Sequence, residues 1–259
     1  MPRNLVRIRR ADVPPGTGEL RIRRVLRHVR GMLSEHFFRI IVAAFIFFVP
    51  PSALYIVAEV IRDDYEDSGG VGGIALFTVL MSLVTFLRLL GQVLFSGFLD
   101  LAVGDSYFRN EDRTFVESLR EMPWKPLLGA DLVVSLSAVI GLAFFVVPGI
   151  AIYTLFGLVG PVIAQERLSV RHGLRRTYEI SRPHWVLVLV LVVIPLGLEH
   201  AVAETVREMV DEGGMVPSVL GEWFIAATML TVVGVIDVSL ATELMARVPT
   251  RFSHPKGTY

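Results

Sequence analysis

The sequence contains no cysteine among its 259 residues. This absence excludes disulfide bonds, thiol nucleophiles, thiolate metal sites and haem attachment through Cys-x-x-Cys-His. The sequence also lacks a Gly-x-x-x-x-Gly-Lys-Ser/Thr phosphate loop, a His-Glu-x-x-His zinc helix and a Gly-x-Ser-x-Gly elbow. The six histidines lie in flanks or tails, and no two of them are spaced as ligands of one metal ion would be. We therefore expect them to be solvated or interfacial. We therefore expect a protein that is not an enzyme and that uses no cofactor and no metal ion.

What the sequence has in abundance is long apolar blocks. Hydrophobic residues make up 53% of the chain, and its mean hydropathy is +0.59. A helix of about 20 mostly apolar residues is long enough to cross a bilayer. The blocks predict an all-α integral membrane protein with six transmembrane helices and cytoplasmic interfacial amphipathic helices. The six spans are predicted at residues 37–61, 71–103, 127–147, 150–164, 184–198 and 223–245.

Two places in this pattern leave the helix geometry open. The second apolar block has 33 residues. Its length suits either one tilted or bent helix, with the bend near Gly91, or a span followed by an interfacial segment. The third block is followed by Pro148-Gly149, which we expect to form a tight turn before a short and irregular fourth span.

Basic residues, nearly all of them arginine, are confined to a few parts of the chain. Segments 1–36, 104–126, 165–183 and 246–259 hold 21 of the 25 lysines and arginines, and the alternate segments are mainly acidic. Because positively charged loops stay in the cytoplasm, the pattern predicts an inner (plasma) membrane protein with both termini cytoplasmic. It divides the chain into a basic arm at 1–36, a six-span membrane domain at 37–246 and a cytoplasmic tail at 247–259.

A short amphipathic segment precedes each span that leaves the cytoplasm. The first has an apolar stripe that suits a helix lying in the headgroup plane: Val25, Val29, Met32 and Leu33. Before the third span, Thr114-Phe-Val-Glu117 is a capping box that opens a helix. Before the fifth, Ser169 would cap a helix with one apolar face: Val170, Leu174 and Tyr178. The three units form a weak internal repeat, unless they reflect only the basic flanks common to membrane helices.

Several charged residues fall inside the predicted spans, in the half nearer the cytoplasm. This candidate polar cluster consists of Arg88, Asp100, Asp131, Asp237 and Glu243. Each charge costs about 2.5–3.5 kcal/mol at mid-membrane, so each is paired or faces a wet cavity. Arg88, Gln92, Ser96 and Asp100 recur every four residues and share one helix face. Two interpretations stay open: a polar cavity that opens to the cytoplasm, or structural ion pairs of Arg88 with Asp131 or Asp237.

The arginines of the basic segments, which set the topology, have a second candidate role in lipid binding. Basic residues near an anionic membrane surface contribute about 1 kcal/mol each to lipid binding. The candidate contacts to anionic lipid headgroups are Arg21, Arg24, Arg27, Arg30, Arg171, Arg175 and Arg176. The alternative is that these arginines only set the topology. The expected partners are membrane lipids or a second membrane protein, and not nucleic acid.

Residues 144–185 carry a resemblance to a known family. The segment has Pro148-Gly149, then Pro161 followed by Glu166, and then Gly173-Leu174-Arg175-Arg176-Thr177. It resembles the six-helix membrane domain of bacterial glycerophosphodiester phosphodiesterases and of stand-alone relatives, which show Pro-Gly, Pro-x-x-x-x-Glu and Ala-Leu-x-x-Ser in this order. Here Gly173 and Thr177 replace the usual Ala and Ser. The resemblance implies the six-helix fold and an accessory or transport-like role, but not the phosphodiesterase activity.

Two functions follow as expectations. The first is a non-enzymatic inner-membrane protein that engages anionic lipids or a membrane partner through its basic face. The alternative is a small transporter or permease-like subunit with a cytoplasm-facing polar cavity around Arg88, Asp131 and Asp237.

Overall fold

A computed structural model describes residues 15–66, 71–109, 111–144, 146–195, 197 and 215–248 of the chain. Within these ranges all regular structure is helical and there is no strand. The α-helices are α1 (Ile22–Glu66), α2 (Val71–Phe98), α3 (Phe115–Glu121), α4 (Trp124–Phe144), α5 (Val146–Phe156), α6 (Val159–Glu166), α7 (Val170–Ser181), α8 (Trp185–Val188) and α9 (Met215–Arg247). Two π-helical segments, Leu99–Arg109 and Leu189–Val193, continue α2 and α8.

In the described part of the chain, five helical stretches are long and apolar enough to cross a membrane. They are Ile22–Arg62, Ala75–Arg109, Trp124–Gly141, Val146–Glu166 and Ala227–Arg247. The protein is therefore a multi-pass helical membrane protein. The predicted fifth span is helical through α8, its π-helical continuation and the residues up to Pro195, and residues 196 and 198 lie outside the described part of the chain. The count of six spans stays a prediction.

Helix α1 contains the junction between the N-terminal arm and the first span. Its backbone leaves helical geometry at one residue, His36, with φ −114° and ψ 15°. This is the position at which the sequence pattern changes from basic and amphipathic to apolar. The two parts of α1 are therefore distinct segments joined by a kink.

Helix α2 does not bend where the sequence suggested. Regular α-helix passes through Gly91, and the change to π-helix occurs at Leu99. Gly91 serves a different purpose, because an added Cβ would lie 2.7 Å from the carbonyl oxygen of Phe47 in α1. A glycine at this point lets the two helix backbones approach closely.

The boundary between the third and fourth apolar blocks is also shifted. We expected a turn at Pro148-Gly149, but both residues lie inside α5, which begins at Val146. Proline is tolerated there because the first turn of a helix has no intrahelical acceptor for its N–H groups. The helix instead breaks further on, between Phe156 and Val159, where α5 ends and α6 begins. Val146–Glu166 is thus a span made of two half-helices.

The two short helices on the basic segments begin where the sequence predicted. Thr114 and Glu117 form the capping box of α3: the Thr114 N–H donates to Glu117 at 2.9 Å, and the Glu117 N–H donates to the Thr114 hydroxyl at 3.3 Å. Ser169 occupies the N-cap position of α7, although its side chain makes no capping bond. The apolar face predicted for α7 is partly buried, because Val170 and Leu174 pack against the core whereas Tyr178 is exposed. The buried residues are Gly173, Arg176, Thr177, Ile180 and Ser181.

The apolar stripe of the N-terminal arm is buried in the protein. Val25, Val29 and Met32 belong to the main hydrophobic core and are almost fully inaccessible. The expectation of a helix whose apolar stripe inserts into the headgroup plane is therefore wrong for these three side chains. These three side chains pack against the helix bundle and not against lipid.

Candidate functional site

A cavity of about 590 Å³ lies inside the helix bundle. It is bordered by α1, α2, α4, α5, α6 and α9, and most of its wall is apolar. Its size falls in the range of cavities that hold small molecules. The side chains that give it polar character are Gln92, Ser96, Asp131, Ser135, Tyr153 and Asp237. The predicted polar face of α2 is thus partly confirmed, since Gln92 and Ser96 both line this cavity.

The two aspartates are the charged groups among the described lining residues. Asp131 comes from the first half of α4 and Asp237 from the second half of α9. Neither carboxyl makes a hydrogen bond or an ion pair with a described residue, and Oδ1 of Asp237 is buried. The side chain of Arg88 lies outside the described part of the chain. Its pairing with Asp131 or Asp237 therefore stays a prediction.

The broken span forms one wall of the cavity. Gly157, Gly160 and Pro161, which lie at the junction of α5 and α6, all line it. The proline lies in the first turn of α6, where an N–H would have no intrahelical acceptor, so it suits the start of the second half-helix. Non-helical backbone at membrane depth is tolerated where it is covered by protein or borders a cavity. Discontinuous helices of this kind surround the binding sites of many transporters.

One helical turn further along α2, α6 and α9 lies a layer of polar contacts that we call the floor. It consists of Asp100, Gln165 and Thr242, which follow Ser96, Pro161 and Asp237 along their helices. The Gln165 amide donates to Thr242 Oγ1 at 3.1 Å and to Asp100 Oδ1 at 3.5 Å. Asp100 is fully buried, and its Oδ2 has no hydrogen-bond partner among the described residues.

Below the floor, Glu243 joins the N-terminal arm to the end of α9. Its carboxylate is fully buried and accepts from Arg24 Nε at 2.6 Å, His28 Nε2 at 3.1 Å and the Gly16 N–H at 3.0 Å. Arg247 Nη2 lies 3.4 Å from the same group. Gly16 fits because its φ is +83° and an added Cβ would lie 2.9 Å from Ala246. We call this set the Glu243 clamp.

The Glu243 clamp corrects three expectations. Glu243 is not part of a polar cluster around Asp131 and Asp237, because its carboxylate is occupied by the arm below the floor. Arg24 is not available to a lipid headgroup, since its guanidinium binds Glu243 and the carbonyl of Thr17. His28 is buried rather than solvated, and its ring packs edge-on against Tyr107 and Phe108.

A second internal ion pair removes another proposed lipid contact. Arg176 is only 1% exposed and pairs with Glu166 at 3.1 Å. Its Nη2 also donates to the carbonyl of Val248 at 2.6 Å. Glu166 and Arg176 belong to the two motifs that carry the family resemblance, so these motifs are in direct contact. Their arrangement fastens α7 to the end of α6.

The other proposed headgroup contacts are exposed. Arg27, Arg30 and Arg171 have accessible side chains. Arg21 and Arg175 are also exposed, with carboxylate partners in Glu19 and Glu179. The described parts of the four basic segments lie together at one end of the bundle, where the arm, α3, α6, α7 and α9 contact one another. We call this the basic end.

Sequence reasoning missed Gln165 and His28. Gln165 is a single amide at the end of an apolar run, and no periodic pattern marked it. His28 carried a usable signal, because it falls between Val25 and Val29 on the face that becomes buried. A histidine on the apolar face of an otherwise basic helix indicates a buried partner.

Comparisons with protein-family models, with curated proteins and with solved structures find no match for this chain. The resemblance of residues 144–185 to a phosphodiesterase membrane domain therefore stays a prediction. Fold and site together define a multi-pass helical membrane protein with a mostly apolar cavity that contains two aspartates. Its function must be inferred from that geometry.

Proposed function

We propose that the protein is a small transporter, or a permease-like subunit, whose central cavity binds a small cation with an apolar body. The observation that carries the proposal is the pair Asp131 and Asp237. Both carboxyls face one cavity in the membrane domain, and neither has a described partner.

The charge of the cavity determines which ligands it favours. A carboxylate at membrane depth costs about 2.5–3.5 kcal/mol, and a bound cation offsets part of that cost. An anion would be repelled by the same two groups. Around the carboxyls, Phe48, Phe95 and Tyr153 supply an apolar and aromatic wall. Aromatic faces attract cations as well as apolar groups, so the wall suits an organic cation.

The lining of the cavity suits a role in ligand binding or transport better than a role in catalysis. Among its described lining residues there is no histidine, and no hydroxyl is hydrogen-bonded to a carboxylate. A nucleophile and a base in contact are the usual mark of covalent catalysis. We therefore propose a non-enzymatic role in the inner membrane, with the basic end and both termini in the cytoplasm. In that orientation the floor lies on the cytoplasmic side of the cavity.

Binding of a defined cation tests the proposal. The full-length protein in detergent is dialysed against labelled tetraphenylphosphonium, with triphenylphosphine oxide as a neutral probe of similar shape. We expect the cation to bind more tightly, and Asp131→Asn and Asp237→Asn each to weaken it at least about tenfold, equivalent to about 1.4 kcal/mol. Asp112→Asn, at an exposed carboxylate paired with Arg39, is the matched control. Equal binding of both probes would refute the proposal.

A second candidate function rests on the exposed arginines. Arg27, Arg30 and Arg171 remain accessible at the basic end after Arg24 and Arg176 are assigned to internal pairs. They would hold anionic headgroups by long-range attraction. Replacing all three with glutamine should lower the phosphatidylglycerol that copurifies with the protein and leave phosphatidylcholine unchanged. An unchanged lipid profile would show that these arginines act only on topology.

A further inference from the structure

A second cavity, of about 570 Å³, lies at the basic end where α3 meets α4. Its wall includes Arg120 from α3, Trp124 and Lys125 from the first turn of α4, and Arg167 from the end of α6. It contains none of the seven arginines considered above as lipid contacts. It also shares no residue with the central cavity.

The free charge of this pocket is positive. Two acidic residues also line it, but both are already engaged. Glu121 pairs with Arg167 at 2.8 Å and with Arg113 at 3.4 Å. Glu117 accepts the Thr114 N–H in the capping box, and this bond lowers the pKa of the Glu117 carboxyl, so Glu117 keeps its negative charge. Two cations of the lining, Arg120 and Lys125, outweigh this single charge, and the net charge of the pocket stays positive.

Arg120 and Lys125 are the cations that remain. Both are exposed, and neither forms an ion pair or a hydrogen bond with a described residue. The Lys125 ammonium lies 5.3 Å from the centre of the Trp124 ring, and a cation–π contact of this kind leaves its three N–H donors available.

An apolar stripe leads away from the pocket along the outside of α4. Leu132, Leu136 and Val139 are 66%, 56% and 62% exposed. They lie at i+7, i+11 and i+14 from Lys125, so the charge and the stripe share one helix face. Trp124 is half exposed beside the pocket, and tryptophan is enriched where a membrane protein meets the headgroup region.

We propose that this pocket binds the phosphate of one anionic phospholipid, with its acyl chains lying along the α4 stripe. Lys125 and Arg120 donate to the phosphate oxygens, and Trp124 packs against the glycerol region. Leu132, Leu136 and Val139 contact the chains. The charge complementarity and the continuous apolar path distinguish a lipid from a free anion. The phosphate pocket shares no residue with the proposed cation cavity, and only Val139, at the far end of the stripe, also borders that cavity.

Native mass spectrometry of the full-length protein with added phosphatidylglycerol tests this site. The double variant Arg120→Gln/Lys125→Gln should bind the first lipid about thirtyfold more weakly, which corresponds to about 1 kcal/mol for each charge. Each single variant should lose about fivefold. The charge-preserving Lys125→Arg should bind like the unmodified protein. Arg23→Gln removes an exposed arginine of α1 and serves as the control, with no expected loss.

Two further arms separate the ligand sources. Phosphatidylcholine, whose phosphate charge is offset by its choline cation, should bind more weakly than phosphatidylglycerol and should lose less affinity in the double variant. Glycerol 3-phosphate, which has the phosphate without the chains, should compete poorly. Unchanged lipid binding in the double variant, or an equal loss in Arg23→Gln, would overturn the site. Competition by glycerol 3-phosphate at the concentration of the lipid would show a free-anion site and overturn the lipid assignment.

Discussion

Replacing Glu243 with glutamine should release the N-terminal arm from the bundle. The carboxylate is fully buried and serves Arg24, His28 and Gly16 at distances between 2.6 and 3.1 Å. Glutamine has nearly the same shape, but it loses the negative charge and one of the two acceptor oxygens. At least one of the three donors, and the charge of Arg24, would then be left without a partner.

The size of the effect follows from how deeply these groups are buried. Removing one partner of a buried ion pair costs about 3–5 kcal/mol, because the other charge is stranded. The Arg24 side chain is 12% exposed, so it can recover part of its hydration and the cost falls at the lower end. A loss of about 3 kcal/mol in the free energy of local opening raises amide exchange about 100-fold.

Hydrogen–deuterium exchange of the detergent-solubilised protein measures this opening. Amides in residues 22–30 should exchange about 100-fold faster in Glu243→Gln, whereas those in the core of α4 should keep their rate. The control is Glu19→Gln, because the Glu19–Arg21 pair is 76% and 74% exposed and such pairs contribute about 0–1 kcal/mol. Exchange in Glu243→Gln within about threefold of the unmodified rate would refute the assignment of Glu243 as the group that holds the arm.

Three other changes test the architecture. Gly91→Ala should destabilise the protein by about 1–3 kcal/mol in thermal unfolding, because its Cβ would meet the α1 carbonyl at 2.7 Å; Gly160→Ala, with its nearest contact at 3.9 Å, should be tolerated. Thr114→Ala should cost about 1 kcal/mol by the same assay, since it removes the side-chain half of the capping box. In intact cells, an impermeant maleimide should label a cysteine at Ser68 but not one at Ser169, and labelling at Ser169 would contradict the predicted orientation.

Local sequence signals predicted the local structure well. The capping box at Thr114 requires only two side chains and their own backbone, so it can be recognised without tertiary information. The same holds for the change in α1 at His36, where basic and amphipathic sequence gives way to a continuous apolar run. The four-residue spacing of Gln92 and Ser96 placed both on one face, and the structure confirms that face as cavity wall.

Signals that depend on tertiary packing were not readable in the same way. An arginine that sets topology and an arginine that fills a buried ion pair have the same appearance in a sequence. Arg24 and Arg176 belong to the second kind only because Glu243 and Glu166 lie beside them in space. The π-helix at Leu99 and the helix break after Phe156 likewise reflect how neighbouring helices fit together, and a hydropathy profile does not contain that information.

The floor and the Glu243 clamp are mechanically connected through adjacent residues of α9. Thr242 contributes to the floor through Gln165, and Glu243 holds the arm through Arg24 and His28. An outward movement of this end of α9 would therefore break the Gln165–Thr242 hydrogen bond and strain the Glu243 clamp together. If the cavity opens toward the basic end, the cost of opening includes a buried ion pair as well as one neutral hydrogen bond. Loosening the arm, as in Glu243→Gln, should therefore lower the cost of any movement that separates Gln165 from Thr242.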